Sequence, residues 1–162
     1  MKGNKLIGSK KKEAPSIEVE LRQTQLQLET AFDTSKKRYV EFFNIYSAWE
    51  MRARQAALIC AVDDNSSMDT VNTLAQRADE FAELYGQKAN REKEHLEKIN
   101  ENYQMISTVL ADLKSVKALQ ILRSSHHFET NGHDDAANQT SRHQVEKLIH
   151  TAKALIELKT EA

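Results

Sequence analysis

Six histidines are the side chains of this sequence best suited to chemistry near neutral pH. Besides His95, they lie towards the carboxyl end, at His126, His127, His133, His143 and His150. Asp134 and Asp135 are close to them, so a metal site must be considered. A tetrahedral zinc site would need three or four of these groups to converge, and a polar loop gives no indication that they do. We therefore expect no metal ion, and we interpret the stretch as a hydrophilic loop that gains charge below about pH 6.5.

Two other patterns could suggest a catalytic or nucleotide-binding site. Cys60 is the single cysteine, and no neighbouring histidine or group of cations would activate it, so it is better explained as a small apolar side chain. The segment Gly3 to Lys10 has the spacing of a phosphate-binding loop, but it ends in Ser-Lys and follows no strand. We predict no enzymatic activity, no cofactor and no small-molecule substrate.

Basic residues form two groups that could contact anions. The first is a flexible basic arm over residues 1–14, which contains Lys2, Lys5, Lys10, Lys11 and Lys12. The second lies farther along the chain, at Lys36, Lys37 and Arg38. The arm is either a solubilising tail or a contact for an anionic membrane surface. Nucleic acid is a poorer candidate because no aromatic side chains alternate with the lysines, and the net charge of −1 provides no general attraction.

Composition predicts an all-α fold, because 162 residues contain only 4 glycines and 1 proline. Apolar spacing places helices at about 16–61, 69–123 and 141–160 in a single helical domain over 15–162, with a His-rich loop at 124–138. The expected architecture is an elongated antiparallel helical hairpin, or coiled coil, with a shorter third helix that completes a three-helix bundle. No stretch is long and apolar enough to span a membrane, so we expect a cytoplasmic protein, soluble or peripheral to a membrane.

Apolar residues recur at seven-residue intervals, which is typical of a bundle seam. The first helix has one row at Leu21, Leu28, Ser35, Phe42, Trp49 and Ala56, and the second helix has one at Ala78, Tyr85, Ile99, Ile106 and Leu113. The second row is interrupted between Gly86 and Glu94, where the heptad position is not apolar. We predict there either a bend or a solvated stretch in a straight helix.

The predicted helices are too long for the third one to cover them. At 1.5 Å per residue the first two would extend about 65 Å and about 80 Å, and the third, with about 20 residues, can cover only about a third of either. The first helix carries an aromatic set at Phe32, Tyr39, Phe42, Phe43, Tyr46 and Trp49. This face is wide enough to predict an interface with a second copy or another helical protein. The alternative is an ordinary three-helix core, in which the third helix reaches these aromatic residues.

The order of parts resembles the BAR-like domains of sorting nexins over about residues 20–123. The features that carry the resemblance are a long amphipathic helix, the polar turn from Asp63 to Ser67, and a longer helix that runs through Tyr103 to Arg123. The resemblance implies a dimer that binds an anionic, curved membrane, with Lys36, Lys37 and Arg38 as headgroup contacts. The short third helix and the His-rich loop depart from that pattern.

Two functions follow as hypotheses. The first is a non-enzymatic helical coiled-coil scaffold or adaptor that mediates protein–protein assembly, either as a homodimer or with a helical partner protein. The alternative is a BAR-like module that binds membrane surfaces. The identity of the partner, the oligomeric state and the pathway do not follow from the sequence.

Overall fold

The structure is a computed structural model that describes residues 15–62, 68–125 and 135–158. These residues form three helices, namely α1 (Ile17–Val62), α2 (Met68–Ser125) and α3 (Asp135–Glu157). The all-α prediction is confirmed, with two long helices packed against each other and a shorter third helix. The lysines of the predicted basic arm and the predicted polar turn at 63–67 lie outside the described residues.

α1 begins where the sequence predicts. The Ser16 hydroxyl accepts a hydrogen bond from the Val19 backbone N–H at 3.4 Å, which satisfies one of the free donors of the first turn. Glu18 and Glu20 lie in that turn, where the helix dipole favours negative charge. The whole helix comprises 46 residues, and none of them is a glycine or a proline.

α1 and α2 are antiparallel along their whole paired length. Lys117 of α2 pairs with Glu18 near the start of α1, and the Trp49 ring stacks on Phe81 farther along. α2 is unbroken through Gly86, and Glu92 is only 1% exposed. Asn90, Arg91, Lys93 and Glu94 are exposed as the solvated stretch predicts, but the prediction is wrong at Glu92, which occupies the heptad position between Tyr85 and Ile99 and faces the seam.

α3 lies along one end of the hairpin, parallel to α1. Lys153 forms a 2.8 Å ion pair with Glu20 of α1, and His95 of α2 reaches the Leu155 carbonyl at 2.9 Å. We call this end the three-helix half, comprising residues 17–37 of α1, 90–117 of α2 and α3. Its core consists of large aliphatic side chains and one alanine, namely Leu21, Leu28, Ile99, Ile106, Ile149, Ala152 and Leu155.

The other end has no third helix among the described residues. We call it the two-helix half, comprising residues 38–62 of α1 and 69–89 of α2. The apolar residues that are buried here, within the described part of the chain, are all alanines: Ala53, Ala78, Ala82 and Ala89. Alanine seams let the two helices approach closely, but the larger apolar side chains must then lie beside the seam.

The boundaries of the predicted His-rich loop need correction. Ser124 and Ser125 belong to the last turn of α2, and α3 begins at Asp135, before the predicted cap at Ser141. An aspartate followed by two alanines suits a helix start, since alanine has the highest helix propensity and the dipole favours an acidic first turn. Residues 126–134, with their histidines, lie outside the described part of the chain, as does the predicted helix end at 160.

Candidate partner interface

Five of the six predicted interface aromatics lie in the two-helix half, on two sides of the α1–α2 seam. The far side, away from the α3 position, carries Tyr39, Phe43 and Tyr46 of α1. Their ring centroids are 5.9 Å apart for Tyr39 and Phe43 and 6.0 Å apart for Phe43 and Tyr46. These spacings are typical of favourable aromatic pairs. The far side is therefore an aromatic row that belongs to one helix.

The α3 side is the side of the seam on which α3 lies in the other half. Here aromatic pairs bridge the two helices, because Phe42 lies 6.2 Å from Tyr85 and Trp49 lies 4.9 Å from Phe81, measured between ring centroids. Sequence analysis missed both α2 rings as interface candidates. Tyr85 occurs in the predicted seam, and Phe81 lies one helical turn before it, so heptad spacing could have identified both rings as interface candidates.

Phe32 differs from the other five. It is half-buried and packs against the core of the three-helix half, so it is separated from the two-helix aromatics. α3 contacts the hairpin near Glu20 and His95 and ends at Glu157. Within the described residues α3 does not cover the aromatics of the two-helix half, so the alternative of an ordinary three-helix core does not hold there.

Gly86 allows the far-side aromatic row to pack on α2. A Cβ atom at this position would lie 3.3 Å from Tyr46 Cδ2 and 3.4 Å from Tyr46 Cε2. The glycine therefore leaves room for the edge of the Tyr46 ring. Any larger residue would displace that ring by a few tenths of an ångström or more.

Large apolar side chains are exposed along the whole two-helix half. Phe81 is 42% exposed and Leu74 is 57% exposed. The other exposed members of this half are Val40, Phe43, Met51, Leu58, Ile59, Val62 and Leu84. Single exposed apolar residues are normal on any protein, but this many in one half of the molecule, beside an aromatic cluster, favour an interaction surface.

A buried polar cluster marks the boundary between the two halves. The Ser35 hydroxyl of α1 is hydrogen-bonded to the Glu92 carboxylate of α2, and Ser35 Oγ lies 3.1 Å from His95 Nδ1. His95 Nε2 donates to the Leu155 carbonyl of α3, since a carbonyl oxygen only accepts. Ser35 and Glu92 are 3% and 1% exposed, so the cluster links all three helices inside the protein.

The cluster contains the residue types of a catalytic triad without its geometry. In a triad the histidine lies between the serine and the carboxylate, whereas here the carboxylate binds the serine directly and the far histidine nitrogen binds backbone. Ser35 is only 3% exposed, although it is among the residues that line a cavity at the end of α3. The arrangement instead satisfies buried polar groups at the place where α3 ends. Sequence analysis missed this cluster, although Glu92 fills the gap in its heptad row.

The predicted anion-contacting residues of α1 do not share one surface. Lys36 and Lys37 are exposed, whereas Arg38 is half-buried and lines a cavity of about 560 Å³ at the end of α3. The same cavity is lined by His95, Lys153 and the acidic Glu157. The three basic residues are therefore divided between open solvent and the groove of the bundle.

Two polar contacts between α1 and α2 shift pKa values in the three-helix half. The hydrogen bond from Lys117, followed by that from Arg22, lowers the pKa of the Glu18 carboxyl below its ordinary value. The Tyr103 hydroxyl donates to Glu29 at 2.9 Å, and this hydrogen bond, together with desolvation, raises the pKa of the tyrosine. Both contacts link the helices near the covered end of the hairpin.

Other candidate sites are few in the part of the chain that the structure describes. There, no three His, Cys, Asp or Glu side chains are placed so that they could hold a metal ion. His143 and His150 are exposed on α3. None of the described helices is apolar over a length that could cross a membrane.

The chain was compared with known protein families, with curated proteins and with solved structures, and it matches none of them.

Proposed function

We propose that this protein is a non-enzymatic helical scaffold or adaptor that holds a helical protein, or a second copy of itself, against its two-helix half. The observation that carries the proposal is the uncovered aromatic surface, in which the Trp49–Phe81 and Phe42–Tyr85 pairs lie beside exposed aliphatic residues. Burying such a surface contributes about 25 cal/mol per Å², so a partner helix would bind with a substantial driving force.

Photo-crosslinking tests the proposal directly. A photoreactive amino acid replaces Trp49 in the full chain, and the same amino acid replaces exposed Gln104 of the three-helix half as a matched control. In native cells we expect protein adducts at position 49 that are absent at position 104. Trp49 adducts of the chain with itself would identify the homodimer. The absence of any protein adduct at position 49 would overturn the scaffold function.

Charge substitutions provide a second test of the same surface. Trp49→Lys and Phe42→Lys place a charge among the aromatic rings, and each is expected to abolish partner binding, because a buried unpaired ammonium is strongly unfavourable. Light scattering over a concentration series measures whether the unmodified chain self-associates and whether the substitutions prevent it. Circular dichroism checks whether both variants remain helical.

The BAR-like membrane module is the second candidate. Its support is the coexistence of cations and exposed apolar side chains in the two-helix half, as with Arg52 beside Trp49. It predicts that the full chain sediments with anionic vesicles, less so as salt rises and less so when the five lysines of the arm are neutralised. Equal sedimentation with neutral vesicles, or none at all, would exclude it.

A further inference from the structure

The groove that α3 fills in the three-helix half continues into the two-helix half. On α2, His95 contacts α3, and Lys88, Phe81 and Leu74 precede it by whole heptads, so they lie on the same side. On α1, Arg38 lines the cavity at the end of α3, and Ile45, Arg52 and Ile59 follow it by whole heptads. We call this continuation, from Arg38 to Ile59 on α1 and from Leu74 to Lys88 on α2, the open groove.

The floor of the open groove is aromatic. Phe42 with Tyr85 and Trp49 with Phe81 bridge the two helices, and Phe81 remains 42% exposed. The groove follows α1 for about 21 residues, which at 1.5 Å per residue is about 32 Å. This length matches a helix of about 20 residues that would lie end to end with α3.

The charges along the open groove are mostly positive, although the acidic Glu41 lies one heptad after Thr34, which lines the cavity at the end of α3, and so on the same side of α1. The Arg52 guanidinium lies 4.7 Å from the Trp49 ring centre, and the Lys88 ammonium lies 5.6 Å and 5.3 Å from the Phe42 and Tyr85 ring centres. Arg77 lies five helical turns before His95 and so on the same side of α2. Among the residues described, no carboxylate forms a salt bridge with Arg52, Arg77 or Lys88.

The far side of the same two helices has a different charge pattern. Within the two-helix half its charged residues are mainly acidic, namely Glu50, Asp79 and Glu83, and Lys36 and Lys93 lie on the same side just inside the three-helix half. Glu50 there is already paired with Arg54 at 2.8 Å. The excess of positive charge is therefore a property of the open groove and not of the two-helix half as a whole.

We infer that the open groove binds an amphipathic helix of another protein whose apolar face is flanked by acidic residues. This inference rests on the proposed scaffold function and names the class of partner. The aromatic floor would accept the apolar face, and Arg52, Arg77 and Lys88 would pair with the acidic flanks. A second copy is a poor occupant, because a two-fold symmetric contact through this groove would bring the cations of both copies together.

Two designed peptides of about 20 residues test the inference on the full chain. Both carry leucines at heptad positions and no tryptophan, and they differ only in having glutamate or lysine on the flanks. Binding is followed by the fluorescence of Trp49, the only tryptophan. We expect the acidic peptide to bind at least about tenfold more tightly than the basic one, with a preference that falls as salt rises.

Charge reversal provides the decisive comparison. Arg52→Glu with Lys88→Glu should weaken binding of the acidic peptide about tenfold and favour the basic one, since the substitutions replace two weak attractive ion pairs with repulsion. Lys36→Glu with Lys93→Glu on the far side is the matched control and should change affinity less than about twofold. Should the reversed variant unfold, Arg52→Gln with Lys88→Gln must still reduce the preference for the acidic peptide.

The remaining outcomes would overturn the inference in distinguishable ways. Equal binding of both peptides, unchanged by charge reversal, would leave helix binding intact and remove the acidic preference. Binding of phosphatidylserine vesicles without binding of either peptide would assign the groove to a membrane. A dimer that forms through Trp49 and excludes the acidic peptide would assign it to a second copy. The scaffold function itself is tested separately: the absence of protein crosslinks at position 49 would contradict it.

Discussion

The two halves of this molecule are built from the same pair of helices but bury different side chains. In the three-helix half, Leu28 and Ile106 are completely buried beneath α3. In the two-helix half the corresponding row of α1 continues with Phe42 and Trp49, which remain half-exposed because no described segment covers them. A heptad repeat therefore determines which side chains meet at the seam, and the number of neighbouring helices determines whether they are buried.

The largest expected difference between the halves is the cost of removing one side chain from the same row of α1. Leu28→Ala should lower the free energy of unfolding by about 2 to 5 kcal/mol, since it leaves a cavity in a closed core. Phe42→Ala, two heptads on, should cost less than about 2 kcal/mol because water already reaches the ring. Urea denaturation measures both values. Equal costs would show that the two-helix half is covered in solution.

The boundary between the halves is tested by the buried hydroxyl of Ser35. Ser35→Ala removes a hydrogen-bond partner of the buried Glu92 carboxylate, and we expect a loss of about 1 to 3 kcal/mol. The adjacent Thr34 is exposed and bonds only within α1, to the Thr30 carbonyl at 2.9 Å, so Thr34→Ala should change stability by less than about 0.5 kcal/mol. If the two variants unfold at the same urea concentration, the polar cluster has no role in stability.

A smaller effect is expected at Gly86, in the two-helix half. Alanine is favoured over glycine inside a helix by about 1 kcal/mol, and displacement of the Tyr46 ring offsets part of that gain. We expect Gly86→Ala to raise the thermal midpoint slightly. Within a Tyr46→Ala background, where the crowded ring is absent, the same substitution should raise the midpoint by a larger amount. Destabilisation that persists in the Tyr46→Ala background would show that the crowding lies elsewhere.

The smallest expected effect concerns the ion pair of Glu18 and Lys117 at the covered end. Because the pKa of Glu18 is lowered in the folded state, its contribution is present above the ordinary carboxyl pKa and is lost as pH falls through the lowered value. The unmodified chain should therefore exceed Glu18→Gln in stability near neutral pH, and the difference should vanish in acid. A difference that is independent of pH would assign the effect to packing instead of charge.

The sequence was sufficient to predict most of the fold. Long runs without glycine or proline, together with the heptad rows, predicted α1 and α2 with ends close to those observed. The predicted start of α3 was less accurate because residues 135–138 show no apolar period, although the pair Ala136 and Ala137 is compatible with a helix. Sequence spacing identified five residues of the candidate interface in the two-helix half, namely Tyr39, Phe42, Phe43, Tyr46 and Trp49. It did not show that they are divided between two sides of the α1–α2 seam.

The sequence by itself determined the helical class, the seam residues and the presence of more aromatic side chains than two helices can bury. These depend on local propensity and on the period of the helix, which act within one segment. Only the tertiary structure decided where α3 lies, and hence which part of the groove is filled. That choice depends on contacts between distant residues, such as His95 with Leu155 and Glu20 with Lys153, which no local pattern specifies. The same choice left Arg52 and Lys88 along an open aromatic groove.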